Sequence, residues 1–109
     1  MDSILNSIKK LLGIQPEYTS FDIDLIMHIN TVFAELNQLN VGPEDGFMIE
    51  DESASWDDYI TTMNAQMVKS YIYLKVRLLF DPPSSGILVD SINRQISELE
   101  WRLYIDSCE

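Results

Sequence analysis

At 109 residues the chain has room for one compact domain, spanning residues 1–109, and not for two. Its 18 acidic and 7 basic residues give a net charge of −11, which argues against binding nucleic acid by neutralising phosphates and leaves a basic partner, or plain solubility, as the role of the acids. Apolar residues make up 46 % and aromatics 10 %, enough to form a core and to exclude wholesale disorder.

The single cysteine, Cys108, allows neither an internal disulfide nor a thiolate metal cage, and its neighbours Asp106 and Glu109 have the wrong charge to activate a thiol. A reducing compartment suits such a chain. The first fourteen residues place Asp2 ahead of Lys9 and Lys10 and lack the features of a secretory signal. No run approaches the roughly 18 apolar residues of a membrane span. The richest run, Tyr71 to Phe80, is broken by Lys75 and Arg77. The expectation is a soluble, intracellular protein without a membrane partner.

Ser3 to Leu12 sets Ile4, Leu5, Ile8, Leu11 and Leu12 at helical spacing, with Ser3 as cap and Gly13 as stop. This short amphipathic helix is expected to dock on its own domain or on a neighbouring chain. After Pro16 and a polar connector, Ser20 is the expected cap of a long helix from Phe21 to Leu39. Leu25, Ile29, Val32, Leu36 and Leu39 form one stripe of it. Ile23, Ile26, Met27 and Phe33 cover an adjoining arc, so its apolar surface is wider than one core face requires.

From Asn40 to about Ser55 the character changes. Glu44, Asp45, Glu50, Asp51 and Glu52 occur with no base among them, around the apolar insert Phe47, Met48 and Ile49. The insert reads as a strand turned back at Asp51 to Ser53 toward Ala54 to Trp56, a small β-hairpin or an extended loop. Ser55 with Asp58 matches a capping pattern for a short helical piece that buries Trp56, Tyr59 and Ile60.

A second long helix, from about Asn64 to Phe80, is apolar nearly all round and is expected to be the most buried element. Asp81-Pro82-Pro83 ends it, because neither proline donates a backbone hydrogen bond. Ser84 or Ser85 caps a last helix whose Val89, Ile92, Ile96, Leu99 and Leu103 form a narrow seam. Asp90 with Arg94 and Glu98 with Arg102 sit at ion-pair spacing, and Trp101, Tyr104 and Ile105 widen the apolar surface near the end. The fold class is therefore all-α: a small bundle of three main helices plus a short N-terminal helix, with the hairpin or extended loop between the first two main helices.

No constellation carries chemistry. His28 has no companion at ligand spacing, and Asp24, one turn earlier, is its expected pair. Glu50, Asp51 and Glu52 lack the pattern of a calcium loop and read as a solvated turn; Asp57 and Asp58, adjacent on a helix, point apart. The four glycines form no phosphate cradle, and the five methionines read as core filler. No catalytic, cofactor-binding or metal-binding residue is expected.

The order of segments, together with particular words of the sequence, resembles the small head-tail connector proteins of long-tailed bacteriophages, which act in head completion and DNA packaging. The matching words are Phe21-Asp-Ile-Asp-Leu-Ile-Met-His-Ile-Asn30 followed by Leu39-Asn-Val-Gly-Pro43, Gly46-Phe-Met-Ile-Glu50 leading to Ser55-Trp-Asp-Asp-Tyr59, and Val68 through Pro83. The likeness runs on to Glu98-Leu-Glu-Trp-Arg102, and its specificity lies in combination and order.

The resemblance implies a non-enzymatic virion protein, made in the host cytoplasm and placed at the head-tail interface. Copies would form a ring, usually twelvefold, on the portal protein, extend the channel and carry the stopper or tail-completion protein. DNA would pass through without specific binding, and any long C-terminal arm is expected to be short or missing. Glu44, Asp45, Glu50, Asp51 and Glu52 are then the candidate channel or inter-ring surface. Phe47, Met48, Ile49, Trp101, Tyr104 and Ile105 are the candidate subunit or portal contacts. The rival reading is an acidic DNA mimic or inhibitor on a basic nucleic-acid-binding partner, expected to be monomeric and salt-sensitive.

Overall fold

Ser3 opens the first helix as its spacing predicts: its Oγ accepts from the Asn6 N–H at 3.2 Å, and Gly13 closes the helix in the left-handed conformation. The computed structural model describes residues 3–43, 46–59 and 65–107, with the side chains of Asp106 and Ser107 left aside. Five helices follow in order: α1 (Ile4–Leu12), α2 (Asp22–Gln38), α3 (Trp56–Tyr59), α4 (Ala65–Phe80) and α5 (Gly86–Ser107). The expected start of the second long helix at Asn64 and the buried role given to Ile60 lie outside the described residues.

Ile4, Leu5 and Ile8 turn one face of α1 into the core, each worth about 1.5–3 kcal/mol relative to exposure. On the same helix Lys9 is only 1 % exposed. Its ammonium donates to the carbonyls of Pro16 (3.0 Å) and Tyr18 (2.7 Å) and pairs with Asp22 at 2.8 Å. One buried cation thus gathers the connector and leads it into α2.

The expected cap at Ser20 is not used. Phe21 occupies the cap position without a side-chain bond, and its ring packs on Tyr18 (centroids 5.5 Å apart) and Phe80 (5.1 Å). With the connector held by Lys9 and Phe21 anchored by aromatic packing, the cap falls one residue beyond the hydroxyl and the helix begins at Asp22. Asp22 and Asp24 in the first turn favour the helix dipole. Leu25, Ile29, Val32, Phe33 and Leu36 form the buried stripe of α2.

The β-hairpin is not formed; the segment is an extended loop. Both backbone polar groups of Ile49 are taken by the Asn30 side chain, so no strand can pair there. Ala54 turns instead to α1, accepting from the Ile4 N–H at 3.0 Å, and Ser55 makes an isolated antiparallel bridge with Ser3. The Trp56 indole N–H donates to Ser7 Oγ at 3.0 Å, stitching α3 to α1. Asp58 accepts from the Ser55 N–H at 2.9 Å, half of the expected capping arrangement, and Trp56 and Tyr59 are buried.

α4 lies in the middle: α2 packs on one flank and α5 on another, while α1 packs on α2 and α4. Lys75 pairs with Glu35 of α2 at 3.1 Å, and the Tyr71 hydroxyl donates to Glu100 of α5 at 2.8 Å. Ser85 caps α5, accepting from the Leu88 N–H at 3.4 Å. Ile92, Ile96 and Leu103 are buried, with Leu99 packed against the core, so the narrow seam faces α4. Glu98 and Arg102 pair at 2.8 Å, whereas the other expected pair, Asp90 with Arg94, does not form. Nor does His28 pair with Asp24. The whole measures 40 × 35 × 19 Å, a flat shape that leaves broad helix faces uncovered.

Candidate functional site

The flat arrangement leaves apolar side chains in water, most of them on α2, α5 and the loop. On α2 the adjoining arc splits: Phe33 enters the core and Ile26 packs against it, while Ile23 is 79 % exposed and Met27 lies outside with it, one turn away. On α5 the outward face carries Ile87 (80 % exposed) at one end and Trp101 (63 %) and Ile105 (41 %) at the other, with Tyr104 beside them also exposed. A monomer of this size rarely leaves so many large apolar groups unburied without a partner.

The loop supplies the third element and divides the residues singled out there. Phe47 and Ile49 turn inward: Phe47 stacks edge-on against Phe33 (5.2 Å) and lies 5.0 Å from the Tyr59 ring, and Ile49 is fully buried. Met48, between them, points out and is 73 % exposed. The extended backbone explains the alternation, since successive side chains go to opposite sides.

Glu50, Asp51 and Glu52 are all exposed. Asp51 accepts from both the hydroxyl and the N–H of Ser53, which hold its carboxyl below the ordinary carboxylate range. Glu52 accepts from the Asn6 amide at 3.3 Å, placing the loop beside α1. Glu44 and Asp45 lie outside the described residues, as does Cys108. Among the described residues no group of His, Cys, Asp and Glu side chains is arranged to hold a metal ion. None of the described helices is long and apolar enough to cross a membrane.

A groove of about 1000 Å³ between α1, the connector and α4 was not foreseen in the sequence. Lys10 and Leu11 line it from α1, Ile14 from the connector, and Lys69 and Tyr73 from α4. Its lining residues come from two segments, up to Pro16 and from Gln66 on, that are far apart in sequence, so no single local pattern signals it. The local mark of it is the helical spacing of Gln66, Lys69, Ser70 and Tyr73 along one face of α4.

Comparison with known protein families matches residues 4–109 to the family described as phage connector protein. The chain belongs to the phage connector protein family. The match covers nearly the whole length and agrees with the resemblance carried by the words from Phe21 to Arg102. No curated protein and no solved structure matches this connector significantly. The family is a structural one of phage.

Proposed function

We propose that the chain is a ring subunit of the head-tail interface: copies close into a ring on the portal protein, extend the DNA channel and offer a platform to the stopper or tail-completion protein. The observation that carries this reading is the apolar surface left open on α2, α5 and the loop of a connector-family chain. Burial that one flat subunit leaves unfinished is completed by neighbours, at about 25 cal/mol for each Å² of apolar area covered. Trp101, Tyr104 and Ile105, with Met48 from the loop, are the proposed subunit or portal contacts; Phe47 and Ile49 support Met48 from within the core.

Glu50, Asp51 and Glu52, with Glu44 and Asp45 of the same segment, are proposed to face the channel or the adjoining ring. Carboxylates repel phosphates, and so suit a passage through which DNA slides without sticking. The virion is then the chain's final location. Electron microscopy and mass measurement of the chain, alone and with the portal protein of its phage, test the reading. Rings or portal-bound collars are expected. A monomer that ignores the portal and instead inhibits a nuclease would establish the DNA-mimic alternative.

A further inference from the structure

The seven cations are unevenly used. Among the described residues Lys9, Lys75 and Arg102 are ion-paired with Asp22, Glu35 and Glu98. Lys10 and Lys69 have no carboxylate partner among the described residues, and both line the groove between α1 and α4. Lys69 lies over the Trp56 ring at 5.2 Å, and Arg77 donates to the hydroxyl of Tyr73, another lining residue. No Asp or Glu occurs among the described lining residues, although Glu52 touches the rim at Asn6. On a chain of net charge −11, this is where a second acidic copy can approach with least repulsion.

The C-terminal end of α5 has the opposite character. From Trp101 onward the sequence holds two acids, Asp106 and Glu109, against one base, Arg102, which is already paired with Glu98. The last turn of the helix carries no basic side chain, so its outward-pointing carbonyls lack a cation of their own. Trp101 and Ile105, four residues apart on one outward face, supply the apolar part. Leu11, Ile14 and Tyr73 supply apolar surface in the groove.

Resting on the ring reading, we infer that the groove between α1 and α4 of one copy receives the end of α5, from Trp101 onward, of the next. The lengths agree. Gln66 to Tyr73 along the α4 wall and Trp101 to Ser107 each span about 10 Å at 1.5 Å per residue. The chain's own α5 packs against α4 through contacts such as Tyr71 with Glu100, and none of its residues is among the described lining of the groove. The acidic loop is the poorer occupant, because Glu52 already lies at the rim of this same groove. Two complementary patches side by side favour a two-fold pair. Patches on α5 and on α1, at different flanks of α4, favour the head-to-tail contact that closes a ring.

Cys108 is the chain's only cysteine, so a benzophenone maleimide attached there reports where the end of α5 lies in the assembly. Mixed isotope-labelled and unlabelled chains, assembled with the portal protein and photolysed, should give cross-links between different copies into residues 3–16 and 66–73. The variant Lys10→Glu/Lys69→Glu reverses two groove cations, one of them half-buried over the Trp56 ring, so its helical circular dichroism is checked against the parent and Lys10→Glu alone is measured beside it. The double variant should weaken association about tenfold and lose those cross-links, with Asp106→Lys/Glu109→Lys recovering part of both. Rings whose cross-links run within one chain, into the portal protein or onto the Ile23 face of α2 overturn this inference while leaving the ring reading intact. Absence of any multi-chain particle overturns both.

Discussion

The side-chain amide of Asn30 is bonded to both backbone polar groups of Ile49, accepting from its N–H at 2.8 Å and donating to its carbonyl at 3.0 Å. One residue of α2 thus holds the extended loop against the core in place of a neighbouring strand. Asn30→Ala removes two hydrogen bonds and leaves a part-buried N–H and C=O without partners. The expected cost is about 2–3 kcal/mol in urea unfolding. Asn30→Asp keeps the acceptor but sets a carboxylate against the Ile49 carbonyl, and should cost at least as much. In both variants limited proteolysis should speed up within residues 46–53 before α4 is cut.

Lys9 serves the connector as Asn30 serves the loop. Lys9→Met keeps the buried stem but leaves Asp22 and the carbonyls of Pro16 and Tyr18 without their cation. Breaking such a pair costs about 3–5 kcal/mol when both partners are buried; Asp22 is 24 % exposed, which favours the lower end. Amide exchange between residues 14 and 22 should accelerate more than in α4. The stability of the parent chain should change little between low and moderate salt on this account, since a buried pair is weakly screened.

These two clamps mark where the sequence stops being legible. The spacing of Ile4, Leu5 and Ile8 between Ser3 and Gly13 is a local pattern, and α1 follows it. Of the seam, Ile92, Ile96, Leu99 and Leu103 likewise turn toward the core, because helical periodicity and burial act through the same face. The insert Phe47 to Ile49 reads as one set of contacts in a strand or extended loop; the chain is extended there, but it turns only Met48 of the three outward. What it pairs with is not local: the partner of Ile49 is a side chain nineteen positions earlier, and no turn signal could reveal it. Lys9 reads as one of two lysines on an amphipathic helix until the connector folds over it. The groove exists only once α1 and α4 are set side by side, whereas the exposed Trp101 and Ile105 were visible as apolar excess beyond the seam.

The loop leaves α2 through Gly42, where φ is +89° and a Cβ would come within 2.6 Å of the Tyr59 ring. Gly46 has the same φ, yet a Cβ there would meet nothing within 4 Å. The two positions therefore separate backbone strain from collision. Gly46→Ala should cost about 1 kcal/mol, the conformational penalty alone. Gly42→Ala adds displacement of Tyr59 from its packing on Phe33 and Phe47, and should cost about 2–4 kcal/mol with altered near-ultraviolet circular dichroism. Equal losses at the two sites would show that the Tyr59 ring yields freely.

Tyr59 and Tyr71 make the fold sensitive to alkali. Burial raises the Tyr59 phenol well above its ordinary value near 10, and its hydroxyl has no hydrogen-bond partner among the described residues. Burial also raises Tyr71, helped by the hydrogen bond to Glu100 and by the charges of Glu100 and Glu35. The unfolded chain loses these protons as pH passes about 10, while the folded chain keeps them. Their contribution is therefore complete below about pH 10 and is lost progressively above it. Urea midpoints should stay level from neutral pH to about 9 as far as these groups are concerned, then fall steeply, and either Tyr→Phe variant should make that fall shallower. At neutral pH the two variants should part: Tyr59→Phe discards an unpartnered hydroxyl at almost no cost, whereas Tyr71→Phe gives up the bond to Glu100 and should lose about 1–2 kcal/mol. A Tyr71→Phe chain with parental stability at pH 7 and an unchanged alkaline limb would show that the α4–α5 contact rests on the apolar seam alone.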